Sequence, residues 1–125
     1  MPCAVLIIED EVTLSRNMKA YLERYNYDVR TAGSGEEGLQ QFDSFKPDVV
    51  VLDFQLPGVN GLEILSRIRG IDPHIIVIMV TAYGNVQVAV DAMKAGAYDY
   101  LSKPLILGEL KLLLDKAVGQ TRMQG

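Results

Sequence analysis

Apolar positions along this chain fall into two regimes. Ala4-Val5-Leu6-Ile7-Ile8, Val49-Val50-Val51-Leu52 and Ile75-Ile76-Val77-Ile78-Met79-Val80 are short, unbroken runs of aliphatic and mostly β-branched residues. Such runs mark strands buried on both faces. Between them the period lengthens. From Val12, residues Leu14, Met18, Leu22 and Tyr25 are spaced near the helical repeat with polar residues between them. Ser34 and Glu37 have capping-box spacing at the head of a second helical stretch. Asn60 can cap a third, with Glu63 at its third position and Leu62, Leu65 and Ile68 as its apolar stripe. Val86, Ala89, Val90 and Met93 predict a fourth helix, ended by Gly96, and Leu107 to Val118 a fifth. Asp28 to Ala32 is a weaker strand, and Ala97 to Leu101 a short last one. Five strands thus alternate with five helices. That rhythm predicts an α/β fold, a parallel sheet covered on both faces through right-handed crossovers.

The strands end on polar groups. The first runs into Glu9-Asp10-Glu11, the third stops on Asp53, the fourth on Thr81, and Lys103 sits just past the fifth. A carboxylate at the end of a buried strand costs several kcal/mol unless it is paired. In an open parallel sheet, ligands bind outside the carboxyl ends of the strands. Three carboxylates gathered there repel one another and call for a cation. Oxygen donors without His or Cys suit magnesium or manganese rather than zinc. An ammonium and a hydroxyl beside that ion would stabilise phosphoryl oxygens, with Asp53 as a nucleophile that forms an acyl phosphate.

Composition narrows the field. The chain has 125 residues, enough for one domain, with a net charge of -4 and no basic run to serve nucleic acid or an anionic membrane. No apolar run approaches the roughly 20 residues of a membrane span, and no signal segment opens the chain. A single cysteine, Cys3, excludes an internal disulfide and fits a cytoplasmic setting. The expected domain covers residues 1–119, with 120–125 as a tail or the start of a linker.

The acidic pair Glu9-Asp10, Asp53 followed by LPG and NG, the segment VTAYG and the closing YDYLSKP together resemble the receiver domain of bacterial two-component response regulators. The resemblance covers about residues 4–118, and TAYGNVQVAVDAMKAGAYDYLSKP is most similar to receivers of NtrC-type transcription activators. It implies a flavodoxin-like three-layer sandwich with strand order 2-1-3-4-5. It also implies that Asp53 accepts a phosphoryl group from a sensor histidine kinase. Asp10 and Glu9 would be acidic ligands of Mg2+ or Mn2+, and Gln55 would lend its backbone carbonyl. Thr81 and Lys103 would hold phosphoryl oxygens, with Thr81 and Tyr100 as the switch pair. Glu9 stands where many members carry Asp. The implied output surface is the face of the fourth helix, fifth strand and fifth helix, serving a homodimer or a downstream effector. Gln55 and Tyr83 would tune loss of the phosphoryl group, and Lys103-Pro104 is a bond that members often hold cis.

Other readings carry less. Gly33, Gly35 and Gly38 match a dinucleotide-binding spacing, but Glu36 and Glu37 lie where pyrophosphate would approach. His74, the only histidine, is outside the acidic group. The alternative function is a small Mg-dependent aspartyl-phosphate phosphatase. Against it, Gln55 stands where such an enzyme needs a second acid, and nothing in the chain would enclose a substrate. A flavin site lacks a Ser/Thr-rich loop after the first strand. The closing helix has more apolar surface than one buried stripe requires.

Overall fold

In the computed structural model, residues 2–82 and 84–124 are described, with side chains through Gly119. The sheet strands are β1 (Cys3–Ile8), β2 (Tyr27–Ala32), β3 (Val49–Asp53), β4 (Ile76–Thr81) and β5 (Asp99–Ser102). The helices are α1 (Val12–Glu23), α2 (Gly35–Phe45), α3 (Gly61–Ile71), α4 (Val86–Lys94) and α5 (Leu107–Gln124). All sheet pairings are parallel and the spatial order is β2-β1-β3-β4-β5, so the expected 2-1-3-4-5 arrangement is the one that forms. The sequence did not signal a small antiparallel hairpin, Gln55–Leu56 against Val59–Asn60, inside the β3–α3 connection. There Gly58 takes φ 75°, a conformation that glycine adopts without strain.

Alternation along the strands divides the interior into two layers. Leu6, Ile8, Val50, Leu52, Val77 and Met79 face one side and pack with Phe42, Ile64, Leu65, Ile68 and Ala92 from α2, α3 and α4. Val5, Ile7, Val49, Val51, Ile78 and Val80 face the other and pack with Met18, Leu22, Leu110, Leu114 and Ala117 from α1 and α5. The helix starts follow their caps. Ser34 Oγ accepts from Glu37 N at 3.1 Å, and Asn60 Oδ1 from Leu62 N at 2.8 Å.

Three expectations need correction. Tyr25 lies past the end of α1 and is exposed, because the chain turns there and its ring leans on Tyr21, 5.2 Å between centroids. The stripe assigned to α4 is only partly covered: Ala89 is buried, but Val86, Val90 and Met93 are exposed, and Ala92 takes the inward position. The closing helix passes Val118 and continues to Gln124, since no proline interrupts it and one glycine, Gly119, costs only about 1 kcal/mol.

The glycine-rich segment also has a structural explanation. A Cβ on Gly38 would meet Ile8 Cδ1 at 2.5 Å, and one on Gly35 would meet Ile64 Cδ1 at 2.9 Å. These glycines let α2 lie close to β1 and α3. Among the described residues no helix is long and apolar enough to cross a membrane.

Candidate functional site

The carboxyl ends of β1, β3 and β4 are neighbours in the sheet, so the polar groups that end them meet on one rim. β1 gives way to Glu9, whose N–H donates to Ala32 O at 3.0 Å and whose side chain is turned inward, 3% exposed. Glu9 Oε2 accepts from Glu11 N at 3.0 Å, which holds the carboxylate in place. Asp10 is exposed beside it. Asp53, the last residue of β3, is 4% exposed, and its Oδ1 accepts from Gln55 N at 3.0 Å. Carboxylate oxygens of Glu9, Asp10 and Asp53 all lie within 4.8 Å of one another.

Lys103 reaches this group from beyond β5. Its N–H donates to Thr81 O at 2.8 Å, and the following bond to Pro104 is cis. The ammonium then sits between two carboxylates. Nζ donates to Asp53 Oδ2 at 3.2 Å and lies 3.1 Å from Glu9 Oε1. The second contact has ion-pair distance without hydrogen-bond geometry, which leaves Glu9 Oε1 as a buried oxygen with no hydrogen-bond partner among the described residues.

The electrostatics follow from this crowding. Burial, reinforced by the Asp53 carboxylate, pushes the Glu9 carboxyl up to about 7, against the lowering pull of the Glu11 N–H and Lys103. Burial works to lower the Lys103 ammonium, but Glu9 and Asp53 outweigh it and hold it above its ordinary value.

Glu9 therefore gives a pH dependence with a definite sign. Between its ordinary pKa of 4.5 and about 7, folded Glu9 keeps a proton that unfolded Glu9 has lost. Raising pH through that window destabilises the metal-free fold, by up to about 3 kcal/mol. Urea melts across the window should show parent and Glu9→Gln diverging as pH rises; a constant gap between them would refute this origin.

The remaining candidates are placed as follows. Thr81 is buried at the end of β4, with Val80 paired to Asp53 across the sheet. Gln55 has an exposed side chain, and its backbone lies against Asp53. Tyr100, on β5, is 41% exposed. Tyr83 lies outside the described residues, and His74 is exposed and apart from the cluster. Sequence reasoning missed Gly61. A Cβ there would meet Phe54 Cα at 2.7 Å and Asp53 O at 2.8 Å, so this glycine fixes the loop behind the central carboxylate. Its only signal was the Asn60-Gly61 turn dipeptide.

A five-stranded parallel sheet with an acidic cluster and a lysine at its carboxyl rim defines a phosphoryl-accepting signalling module of the flavodoxin-like class. The chain belongs to the response regulator receiver domain family, whose family model matches residues 5–115. It is similar to the transcriptional regulatory protein TrcR of Mycobacterium tuberculosis, 41% identical over 109 residues, covering 87% of this chain and 42% of that protein. Transcriptional regulatory protein ZraR of Escherichia coli K12 is 35% identical over 117 residues, which cover 94% of this chain and 26% of ZraR. The chain thus spans less than half the length of these relatives. Regulatory protein AtoC of Escherichia coli K12 is 33% identical over 114 residues, which cover 91% of this chain and 25% of AtoC. A receiver domain from Clostridium thermocellum superposes with TM-score 0.92 at 36% identity, covering 98% of this chain and 99% of that one.

Receiver domains act as phosphoryl-accepting switches, and they bind Mg2+ at an acidic pocket of this kind. The residues present fit such an ion. They supply three clustered carboxylates, only oxygen donors, and one buried oxygen that has an ion-pair contact but no hydrogen bond among the described residues.

Proposed function

We propose that Asp53 is the phosphoacceptor of this receiver and that Glu9, Asp10, Asp53 and the backbone carbonyl of Gln55 hold Mg2+, with Mn2+ as a substitute. One observation carries the reading: the Asp53 carboxylate is fixed between the Gln55 N–H and the Lys103 ammonium, beside two further acids, at the end of a buried strand. The donor is the phosphohistidine of a sensor histidine kinase. A carboxylate oxygen of Asp53 attacks phosphorus; the O–P bond forms, the P–N bond breaks, and its electron pair stays on the imidazole. When bound, the metal ion offsets negative charge on the phosphoryl oxygens. Lys103 holds one of those oxygens by its ammonium, and the Thr81 hydroxyl donates to another.

Thr81 and Tyr100 then couple the site to the α4–β5–α5 face. The acyl phosphate carries roughly two negative charges where the carboxylate carried one, and spreads them over three oxygens further out, drawing Thr81 inward and letting exposed Tyr100 turn into the vacated space. Inverting a 1:99 equilibrium takes about 5.5 kcal/mol. Two or three charge-assisted hydrogen bonds, about 1.5–3 kcal/mol each, suffice. Val86, Val90, Met93, Tyr100, Ile106 and Leu112 give the output face an exposed apolar character. It suits a homodimer or a downstream effector, and through it control of transcription in the cytoplasm.

The direct test is intact mass after incubation with Mg2+ and acetyl phosphate. One hydroxylamine-labile phosphoryl adduct is expected, mapping to the peptide that contains Asp53; no adduct, or one elsewhere, would overturn the reading. Thr81→Ala should still take up the phosphoryl group, slowed by no more than about tenfold, because its charge-assisted hydrogen bond of about 1.5–3 kcal/mol is only partly made while the O–P bond forms. Its output face should nonetheless stay in the resting state, read from backbone NMR shifts of α4 and β5 on phosphorylation. Equal shift changes in mutant and parent would remove Thr81 from the switch.

A further inference from the structure

The two ends of α4 are held very differently. At the carboxyl end Gly96 N donates to Met93 O at 3.2 Å and Ala97 N to Ala92 O at 3.0 Å, with Gly96 at φ 103°, the paired closure that a glycine allows. Arg69, in the last turn of α3, lies over that closure. A Cβ on Gly96 would fall against Arg69 Nε, with Cζ at 2.8 Å and Cδ at 2.9 Å. The arginine is half-buried, and no carboxylate among the described residues pairs with it. Its charge therefore complements the negative end of the α4 dipole.

The amino end is loose by comparison. Asn85 Oδ1 accepts from Val88 N at 3.3 Å, longer than the caps of α2 and α3 at 3.1 and 2.8 Å. No acid stands in the first turn, and Val86 is 72% exposed. Within α4 only Ala89 and Ala92 are buried, and such short side chains give little interlock against a tilt. α3, by contrast, is a fixed base: Ile64, Leu65 and Ile68 are buried, and Gly61 at its start abuts backbone atoms of Asp53 and Phe54. Thr81 lies four residues before Asn85, so a pull on Thr81 acts on the loose end of α4.

We propose that Arg69 is the pivot of the switch: on phosphorylation the amino end of α4 swings about a carboxyl end that Arg69 and Gly96 hold still. This rests on Asp53 as phosphoacceptor and Thr81 as the residue that moves. Arg69 is a positioning residue, since it acts through α4 and touches none of the site residues. The swing changes the apolar output face chiefly at Val86 and Val90, and least at Met93 beside the pivot.

The test is amide exchange followed by NMR in the parent and in Arg69→Met, which keeps an unbranched apolar stem and drops the guanidinium. Each is measured with and without Mg2+ and acetyl phosphate, the adduct being checked by intact mass. In the parent, phosphorylation should change exchange of amides 88–90 by about fivefold or more and of amides 95–97 by less than about twofold, as local opening confined to one end requires. Equal changes at both ends, or no change at 88–90 despite the adduct, would refute the swing. In Arg69→Met, amides 95–97 should exchange about two- to fivefold faster at rest, the size of a charge lost from a helix end. The response to phosphorylation should then spread to them. A merely stabilising arginine predicts another result, 95–97 faster by the same factor with and without the adduct and the response still confined to 88–90; that outcome removes Arg69 as pivot. The resting parent is decisive without any adduct: 88–90 should exchange faster than 95–97, and the reverse order would mean that the carboxyl end is not the anchored one. Failure of the phosphoacceptor reading is distinct, since intact mass would then show no adduct on Asp53.

Discussion

Asp53→Asn is expected to abolish the phosphoryl adduct while leaving the fold intact. The amide keeps an oxygen to accept from Gln55 N, the bond that orders the loop after β3. It loses the anionic oxygen that attacks phosphorus, and its nitrogen lone pair is delocalised, so no acyl phosphate forms. Stability is pulled two ways. One of three mutually repelling carboxylates disappears, and Asp53 is one of the causes that raise Glu9. Against this, an amide NH2 facing the Lys103 ammonium sets donor against donor. Lys103 can lean toward Glu9 instead, so the net change should stay within about 1 kcal/mol. The removal of repulsion has its own signature: the loss of stability with rising pH attributed to Glu9 should shrink in Asp53→Asn. Intact mass reads the first effect and urea melts the second. An undiminished adduct in the mutant would move the phosphoacceptor to another residue.

Gly61→Ala should damage both stability and phosphorylation. The added Cβ would lie 2.7 Å from Phe54 Cα and 2.8 Å from the carbonyl oxygens of Asp53 and Phe54. These are backbone atoms, which cannot rotate aside as a side chain does. Gly61 N also donates to Phe54 O at 2.9 Å, so pushing the chains apart breaks that bond as well. The cost should be about 1–3 kcal/mol, the range for forcing atoms into a filled interior. Because the displaced peptide carries Asp53, adduct formation with acetyl phosphate should slow by more than tenfold, a rise of about 1.4 kcal/mol or more in the barrier. Gly70 supplies the control. It lies within α3 with nothing inside 4 Å of an added Cβ, so Gly70→Ala should stabilise by about 0.5–1 kcal/mol and leave phosphorylation unchanged. Thermal melts with adduct kinetics separate the two. Equal kinetics in both variants would mean that Gly61 serves packing only.

Much of this molecule was legible because its signals are local. Three aliphatic runs become β1, β3 and β4, and their ends become the rim of the site, because a buried strand admits a polar group only where it leaves the core. Ser34 and Asn60 cap α2 and α3 as their spacing predicts, since a cap needs only a neighbouring N–H. The acids, Thr81 and Lys103 were marked by their places at strand ends, and the family resemblance supplied the strand order.

The sequence by itself thus determined the five sheet strands and five helices, their α/β succession and the chemistry of the rim, but not the small hairpin after β3. The tertiary structure alone decided which apolar positions are covered: Val86, Val90 and Met93 have helical spacing, yet they face solvent because no layer lies over that side of α4. It decided that Gly61 admits no side chain, since two backbone segments converge there. It also decided that one ammonium spans Glu9 and Asp53. Periodicity reports the shape of a single element, whereas burial, close approach and ion pairing depend on what lies across the gap. That is set only when residues as distant as 9, 53 and 103 are brought within hydrogen-bond range.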